Sequence, residues 1–439
     1  MIIDYSITNY RSIKEKQTLY LLAKSKKSDI QENKIFSFSK MKGFRSILSK
    51  GCVIYGHNAS GKSNLLEAFK FFANFALDSQ RYVKPSAKIP IVPFLLDEES
   101  KYRDSEFEVN FILEDVRYNY EIRLNSTRVT YESLKAYPNA IAQDRYTRVW
   151  NSEKGNYVWT SGDPEKYGFD EKIAQRTREN VTFLSFVNEE KNDIFRKVYD
   201  WFDAIVFLKG ELDVFPETFT AAEIDEAKLD KESALNFIKC ADIGIQTLNL
   251  NKREFDSSDI PQFLSQEVKD NIFSDFSGSF RLESTFGHRG FEEKIYPIEY
   301  AYESEGTQKL YKILGPIFQV LRKGGILFFD EIENSLHPLL LIEIVKLFFS
   351  DLHNPKGAQI IFTAHNTVLL EVELLNRDQI WFTEKSYFGE TQVYPLLKYS
   401  PRIKESLVRG YLSGRYGAVK LFSGDCFKES LNNAKEETK

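Results

Sequence analysis

The sequence predicts an α/β fold in which a mostly parallel sheet is accompanied by an inserted antiparallel β-subdomain and a helical insertion. Apolar runs of strand length occur at 52–55, 326–329, 359–363 and 379–382, separated by helical patterns. Buried parallel strands are nearly continuous apolar runs of this kind. Between 107 and 159 the apolar residues instead alternate with polar ones, which is the period of antiparallel strands with one solvated face.

Three segments follow from these patterns. We expect residues 1–163 to form an N-terminal lobe, residues 164–300 a helical and lid insertion, and residues 301–439 a C-terminal lobe. Amphipathic periodicity predicts helices inside the second segment at 193–202 and 221–243.

Several elements of the first two segments have their own local signals. Alternation predicts a strand at 2–8 and a second one at 17–23, whereas polar 24–50 is expected to be a loop or a partly helical insertion. Residues 152–156 form a good hairpin turn between two aromatic strand patterns. The polar stretch 251–290 is expected to be a lid or an extended loop.

The last segment returns to alternating helices and strands. Helices are predicted at 307–321 and at 338–349, the second of which opens with Pro338. Together with the apolar runs between them, these helices predict a parallel sheet that is covered on both faces.

Composition limits the classes of protein that fit. The chain has 439 residues, 42% of them hydrophobic and 28% charged, with a formal net charge of -5. Its three scattered cysteines (Cys52, Cys240, Cys426) favour a reducing compartment, and no apolar run is long enough to span a membrane. We therefore expect a cytoplasmic protein without a membrane partner. The net charge gives no global signal for nucleic acid, although basic clusters at 24–27 and 40–45 leave such binding open.

The segment Gly56–Ser63 has the pattern G-x-x-x-x-G-K-S and lies between an apolar strand and a helical pattern. This arrangement directs backbone N–H groups and a helix N-terminus at an anion. Lys62 is expected to reach the β- and γ-phosphates of a nucleotide, and the Ser63 hydroxyl is expected to bind Mg²⁺. The alternative is a glycine-serine turn that caps an ordinary helix. The predicted nucleotide contacts are Gly56, Asn58, Ala59, Ser60, Gly61, Lys62, Ser63 and Asn64.

Two carboxylates, Asp330 and Glu331, end the apolar strand at 326–329. We expect Asp330 to hold the Mg²⁺ ion and Glu331 to orient or deprotonate an attacking water molecule. The alternative is that the pair only ends the strand.

Two further features stand near these carboxylates in the sequence. Ser304-Glu305-Gly306 precedes an apolar helix pattern, and by itself it is a helix N-cap. His365 directly follows the strand pattern at 359–363, and a lone histidine is more often structural than catalytic.

In their order and spacing these elements resemble the head of an ABC-type P-loop ATPase of the RecF and SMC kind. The resemblance implies that Ser304, Glu305 and Gly306 bind the γ-phosphate of ATP held by a partner subunit. It also implies that His365 is the switch histidine that contacts the γ-phosphate, and that 333–338 is the loop through which two protomers communicate.

Longer motifs at 55–65, 93–100, 377–382 and 411–418 resemble the class-fifteen AAA "ATP-binding protein" family. This family includes the RloA, AbiL-type and PARIS AriA-type ATPases of prokaryotic anti-phage loci. The N-terminal segment Ile7–Ile13 resembles an Asn-aromatic-Arg-Ser element of the RecF and SMC group, which implies that Arg11 lies near the nucleotide. One departure concerns the segment 183–190, where Glu190 stands in the place of the usual Q-loop glutamine.

The resemblance implies an ATPase with ATP and Mg²⁺ that forms a homodimer or a higher homo-oligomer through composite ATP sites. It also implies a sensor or scaffold in an abortive-infection system that controls a separate nuclease of the Toprim or RloB-like kind and responds to a phage protein. OLD-like relatives carry a Toprim nuclease on the same chain, but the segment 377–439 is short for one and lacks its acidic cluster.

Other functions stay open on the sequence alone. The main alternative is a RecF-like repair clamp that closes on duplex DNA, with steeply salt-dependent, DNA-stimulated hydrolysis. A structural assembly with a vestigial site is a further alternative, which the presence of Lys62, Asp330, Glu331 and His365 disfavours. GTP is disfavoured because no Asn-Lys-x-Asp motif occurs.

Overall fold

A computed structural model describes the chain in two compact units. One unit comprises residues 203–362 together with Met1, and the other comprises residues 2–202 and 363–439. The residues that the structure describes are 1–23, 34–37, 47–187, 193–209, 217–240, 244–257, 260, 265–266, 269–270, 274, 278–334, 336–372, 374–402 and 404–419.

The strands and helices of the described residues are numbered in chain order. The strands are β1 (Ile2–Thr8), β2 (Gln17–Tyr20), β3 (Ile35–Ser37), β4 (Ile47–Ser49), β5 (Gly51–Tyr55), β6 (Ser105–Leu113), β7 (Val116–Leu124), β8 (Val129–Tyr137), β9 (Gln143–Asn151), β10 (Asn156–Thr160), β11 (Ile205–Lys209), β12 (Ile245–Glu254), β13 (Phe280–Arg289), β14 (Ile295–Glu299), β15 (Ile326–Asp330), β16 (Gln359–Thr363), β17 (Ile380–Lys385) and β18 (Thr391–Pro395). The α-helices are α1 (Lys62–Tyr82), α2 (Pro164–Tyr167), α3 (Glu171–Ala174), α4 (Phe183–Val187), α5 (Asp193–Asp203), α6 (Glu217–Asp225), α7 (Lys231–Lys239), α8 (Glu305–Lys323), α9 (Pro338–Phe349), α10 (Val368–Glu371) and α11 (Leu407–Leu412).

The mixed α/β fold that the sequence predicts is confirmed. In one unit β11, β15 and β16 are parallel neighbours, and in the other unit β5 pairs in parallel with β17. All five strands contain mainly buried residues, as expected for strands that are covered on both faces. The hairpin partner β18 adds one antiparallel pairing to β17.

The alternating region forms an antiparallel meander, as predicted. Strands β6 to β10 pair consecutively, and the sheet continues through β1 and β2 in the order β10-β9-β8-β7-β6-β1-β2. The insertion therefore extends a sheet that the N-terminal strands begin. On the core face of this sheet, Phe107 of β6 stacks against Phe72 of α1 with ring centroids 5.8 Å apart, which joins the helix to the sheet.

Two expectations about loops are wrong. Within 24–50, the described parts form the short antiparallel pair β3 and β4, where a loop or a partly helical insertion was expected. Within 251–290, β12 and β13 pair with each other over most of their length, and β14 joins them in a three-stranded sheet. These strands escaped recognition because most of their side chains are polar and only a few, such as Leu248 and Phe286, are fully buried in the core.

Helix α8 contains Pro316, which removes one backbone N–H donor from the helix interior. The buried Thr220 of α6 hydrogen-bonds to the backbone of α8 at this position. Its hydroxyl donates to the carbonyl oxygens of Tyr311 (2.8 Å) and Lys312 (3.3 Å), and accepts from the amide of Gly315 (3.1 Å). A side chain thus supplies the hydrogen bond that the proline cannot. Among all described residues, no helix is both long enough and apolar enough to cross a membrane.

Candidate functional site

The phosphate loop joins the buried strand β5 to the helix α1, as predicted. Ala59 and Gly61 adopt left-handed backbone conformations with φ of 63° and 105°, and Gly61 is the N-cap residue of α1. No acidic residue lies in the first turn of this helix. Because the first amides of a helix lack acceptors within it, this N-terminus can bind an anion.

Lys62 lies in the first turn and is 5% exposed. Its ammonium group donates to the carbonyl oxygens of Gly56 (2.8 Å) and His57 (3.2 Å). The side chain therefore folds back across the loop that precedes it. These two hydrogen bonds hold the ammonium group at the loop, and the carbonyl oxygens that accept them carry no net charge.

His365 lies in the same unit as the phosphate loop and directly follows β16. The amide of Ala364 donates to the carbonyl of Ile54 (3.2 Å), which ties the histidine segment to the strand that enters the loop. His365, Gly56, His57 and Asn58 line one cavity of about 430 Å³. The structure thus brings the predicted switch histidine to the mouth of the phosphate loop.

The C-terminal segment closes the far side of this cavity. Tyr411, Leu412, Ala418 and Val419 line it, and Tyr411 is held between the rings of Tyr55 and Phe382, with centroids 5.5 and 5.7 Å away. Sequence reasoning gave 411–418 only as part of a resemblance and assigned it no contact with the loop. The motif itself was the one signal that could have indicated this role.

The N-terminal turn lies against the start of α1. Asn9 is fully buried in a left-handed conformation, and its side chain bonds to the backbone of Phe94, Ser100 and Arg103. Asn9 is therefore a structural anchor. Arg11 is exposed, with its guanidinium 5.3 Å from the ring of Tyr10, so its side chain is accessible to a ligand.

The two predicted carboxylates lie in the other unit, at the end of β15. Asp330 is the buried last residue of that strand, and Glu331 follows in a left-handed conformation with φ of 53°. A left-handed, non-glycine residue after a strand is uncommon. It turns the chain sharply, and the amide of Asn334 closes the turn on the Glu331 carbonyl at 3.0 Å.

Lys309 of α8 interacts electrostatically with the carboxylates of this turn. It is 3% exposed, and its ammonium group makes no hydrogen bond among the described residues. Burial lowers the pKa of Lys309 to about 8, although the carboxylates of Glu333 and Glu331 oppose that shift. The carboxylate turn therefore contains a buried cation that sequence reasoning did not identify.

Ser304 starts α8 and caps it, because its hydroxyl accepts from the amide of Thr307 at 3.2 Å. In the first turn behind it, Glu305 is exposed and Gly306 is half-buried. His337 similarly caps α9, with its Nδ1 accepting from the amide of Leu339 at 3.2 Å. The cap interpretation of Ser304 is thus correct locally, and it leaves the helix N-terminus accessible.

The predicted residues fall into two groups according to unit. The phosphate loop, Asn64, Arg11 and His365 belong to one unit, and Ser304, Glu305, Gly306, Asp330 and Glu331 belong to the other. Glu190, the predicted Q-loop position, lies outside the described residues.

A family model matches residues 52–371, which is most of the chain, and its description is "AAA domain, putative AbiEii toxin, Type IV TA system". A comparison with curated proteins found no match.

Solved structures also align with the chain over most of its length. One is the recombination mediator protein RecF of the RecFOR pathway in its ATPrS form, at 14% identity, with 90% of this chain and 98% of that chain covered and a TM-score of 0.35. Another is the Smc head domain bound to the C-terminal domain of ScpA from Pyrococcus furiosus, at 14% identity, 91% and 97% coverage and a TM-score of 0.40.

Proposed function

We propose that this chain, which belongs to the AAA domain family described as putative AbiEii toxin of type IV toxin–antitoxin systems, binds ATP with Mg²⁺ and hydrolyses it to ADP and phosphate. The observation that carries the proposal is the loop itself. A left-handed glycine cap, a helix without acid in its first turn and a buried lysine that hydrogen-bonds to carbonyl oxygens of that loop form a cradle for an anion.

The phosphate loop would bind the triphosphate. In this proposal Lys62 contacts the β- and γ-phosphates, and the backbone from Asn58 to Gly61 surrounds them. His365, at the mouth of the same cavity, contacts the γ-phosphate. Arg11 is exposed beside the N-terminal turn and contacts the nucleotide from there.

The carboxylates would supply the chemistry. Ser63 and Asp330 offer the oxygen ligands that Mg²⁺ prefers, and the ion when bound neutralises charge on the phosphate oxygens. Glu331 accepts a proton from water while the water oxygen bonds to the γ-phosphorus and the bond to the β–γ bridging oxygen breaks. ADP leaves with the electrons of that bond. Lys62 offsets the negative charge that develops during transfer.

A second copy of the chain would complete each site. The accessible N-terminus of α8, with Ser304, Glu305 and Gly306, would bind the γ-phosphate held by the partner subunit. ATP would then join two protomers in a homodimer or a higher oligomer, and hydrolysis would release them.

We propose the biological role from the resemblance and from the family description, which names a toxin–antitoxin setting and hence a second protein. The ATPase would act as sensor or scaffold of an anti-phage system in the cytoplasm and would control a separate nuclease. Co-purification with the product of the adjacent gene, with ATP, ADP or no nucleotide, tests this role. Absence of association under all three conditions would contradict it.

The substitution Glu331→Gln tests the enzymatic proposal. It removes the proton acceptor but keeps the size of the side chain, so we expect hydrolysis to fall by about 100-fold or more. ATP-bound dimers should accumulate, which light scattering after gel filtration measures. Glu343→Gln, on the exposed face of α9, is the matched control and should hydrolyse ATP like the wild type. Equal turnover in both variants would contradict the role of Glu331.

A further inference from the structure

A chain of hydrogen bonds connects the phosphate loop to two elements far from it in sequence. The buried Thr391 starts β18, and the buried Ser12 belongs to the N-terminal turn. The Thr391 hydroxyl donates to the carbonyl oxygen of Ser60 in the loop at 3.0 Å. The Thr391 amide also donates to the Ser12 carbonyl at 2.7 Å, which fixes the two elements to each other.

The donor and acceptor in each of these hydrogen bonds follow from the number of hydrogen atoms that each group can donate. A hydroxyl group has a single hydrogen to donate, and Thr391 uses its own on Ser60. The 2.8 Å contact between the Ser12 and Thr391 hydroxyls is therefore donated by Ser12. Asn64, which follows the loop, in turn donates its side-chain amide to the Ser12 hydroxyl at 2.7 Å. The chain runs from Asn64 through Ser12 and Thr391 to the Ser60 carbonyl.

A second chain starts at the Ser60 side chain. The Ser60 and Thr383 hydroxyls lie 2.7 Å apart and form a hydrogen bond in which either can be the donor, and the Thr383 hydroxyl also lies 3.4 Å from the Tyr55 carbonyl oxygen. The carbonyl and the hydroxyl of Ser60 are thus both bonded to the β17–β18 hairpin.

Thr391 also fills the space beside Gly61. A Cβ atom placed on Gly61 would lie 2.1 Å from the Thr391 Oγ1 atom and 2.6 Å from its Cγ2 atom. Real side chains do not tolerate such distances, so Thr391 occupies the room that any other residue at position 61 would need. The pair fixes the position of the loop just before the helix.

We propose that Thr391 and Ser12 are positioning residues of the phosphate loop, acting on the peptide between Ser60 and Gly61. In a trans peptide the C=O and N–H groups point in opposite directions, and no peptide among the described residues is cis. Because Thr391 holds the Ser60 carbonyl, the Gly61 N–H points away from Thr391 and is available to a phosphate oxygen. This inference rests on the proposed function for the identity of the ligand.

Isosteric variants separate the hydroxyl from the rest of the side chain. Thr391→Val removes the hydroxyl and keeps the shape, whereas Thr391→Ser keeps the hydroxyl. Thr391→Val should raise the Kd for ATP with Mg²⁺ by about tenfold, and Thr391→Ser should bind within about twofold of the wild type. Gln392→Val, at the exposed next position of β18, is the control and should bind like the wild type. Calorimetric titration measures all four.

Hydrogen exchange of the protein without nucleotide tests positioning independently of ATP. The peptide that covers 56–63 should exchange faster in Thr391→Val than in the wild type or Thr391→Ser. If Thr391→Val does not fold, Ser12→Ala breaks the same chain one bond earlier and should show the same direction of change.

The outcomes distinguish this inference from the proposed function. Unchanged exchange and unchanged ATP affinity in a folded Thr391→Val would overturn the inference. Equal losses in Thr391→Val and Thr391→Ser would also overturn it, because Thr391→Ser keeps the hydroxyl and should therefore retain the affinity. Faster exchange in Thr391→Val combined with no ATP binding by the wild type would support positioning and contradict the ATPase.

Discussion

Two buried polar networks in the same unit are built from opposite kinds of group. Behind the phosphate loop, Ser12, Ser60, Thr383 and Thr391 form a network of neutral hydroxyls. In the antiparallel sheet, the fully buried Glu132 instead pairs with the fully buried Arg148 at 3.0 Å. The hydroxyl network and the ion pair therefore stabilise different parts of the same unit.

The ionic network satisfies its own charges. The Glu132 carboxylate accepts from the hydroxyls of Tyr120 (2.9 Å) and Tyr146 (2.7 Å), and from the Phe183 amide at the start of α4 (2.9 Å). Burial, followed by the Glu132 charge, raises the pKa of both tyrosines well above the ordinary value. Arg148 also bonds to the Val181 carbonyl. This network fastens the segment that leads into α4.

The contrast between the hydroxyl network and the ion pair indicates where a buried counter-charge is useful. A carboxylate beside Lys62 would compete with a phosphate for the ammonium group, whereas hydroxyls and carbonyls can brace the loop without that competition. Glu132 and Arg148 are both fully buried, so this ion pair serves for structure. Removing a charge should therefore cost stability at Arg148 and ligand affinity at Lys62.

The largest expected effect on stability is that of Arg148→Met. It leaves the Glu132 carboxylate buried without its cation, which should lower the free energy of unfolding by about 3–5 kcal/mol. Urea denaturation measures this loss. Lys346→Met breaks an exposed pair with Glu343 and should cost less than about 1 kcal/mol. If the two variants were equally stable, the buried ion pair would contribute no more to stability than the exposed one.

For Lys62→Met we expect a large loss of ATP affinity and a smaller loss of stability. Loss of the charge-assisted contact with phosphate should weaken ATP binding by about 3 kcal/mol, or about 100-fold in Kd. The denaturation midpoint should change less than in Arg148→Met, because the Gly56 and His57 carbonyl oxygens to which Lys62 donates are neutral. Lys70→Met, further along α1, is the control. A large loss of stability with unchanged ATP affinity would mean that Lys62 serves structure alone.

A smaller effect is expected for Thr383→Val, which removes the hydrogen-bond partner of the Ser60 hydroxyl. The bond that Thr383 itself donates is long, at 3.4 Å, so we expect a loss of about 1 kcal/mol, or about fivefold in the Kd for ATP. Thr383→Ser should restore the affinity. Failure of that rescue would show that the hydroxyl is not the group that matters.

A further expectation concerns the pH dependence of stability and the buried Lys309 of the other unit. Its pKa is about 8 in the folded protein because burial disfavours the charged form, against an ordinary value of 10.5. The unfolded chain therefore binds more protons between these values, so Lys309 makes stability rise as the pH increases from about 8 to 10.5. Lys309→Met should reduce that rise, and the exposed Lys323→Met should leave it intact. Denaturation midpoints at pH 7.5 and 10 measure the difference.

The sequence predicted the elements whose signal is local. The glycine loop, its strand and helix, and the parallel strands β15 and β16 are recognisable because burial on both faces requires continuous apolar runs. The polar strands β12 and β13 were missed because little of their surface is buried. In such strands the hydrophobic alternation is too weak to distinguish them from a loop.

The bracing of the loop could not be predicted from the sequence. Thr391 is 331 positions from Ser60 and 379 from Ser12, and a single threonine in a strand carries no pattern. Its role depends on tertiary pairing of β17 with β5, which sets the hairpin beside the loop. By contrast, the motif at 411–418 was recognised in the sequence, but its contact with the phosphate loop was not predicted.

The most direct test of the proposed ATP hydrolysis is to measure the release of phosphate from ATP by the purified protein. We predict one inorganic phosphate per ADP formed, in a reaction that requires Mg²⁺, stops on chelation of the metal with EDTA, and is absent in Lys62→Met and Glu331→Gln. Phosphate release that persists equally in both variants would assign the activity to another protein or site. No release and no ATP binding by the folded wild type would contradict the account.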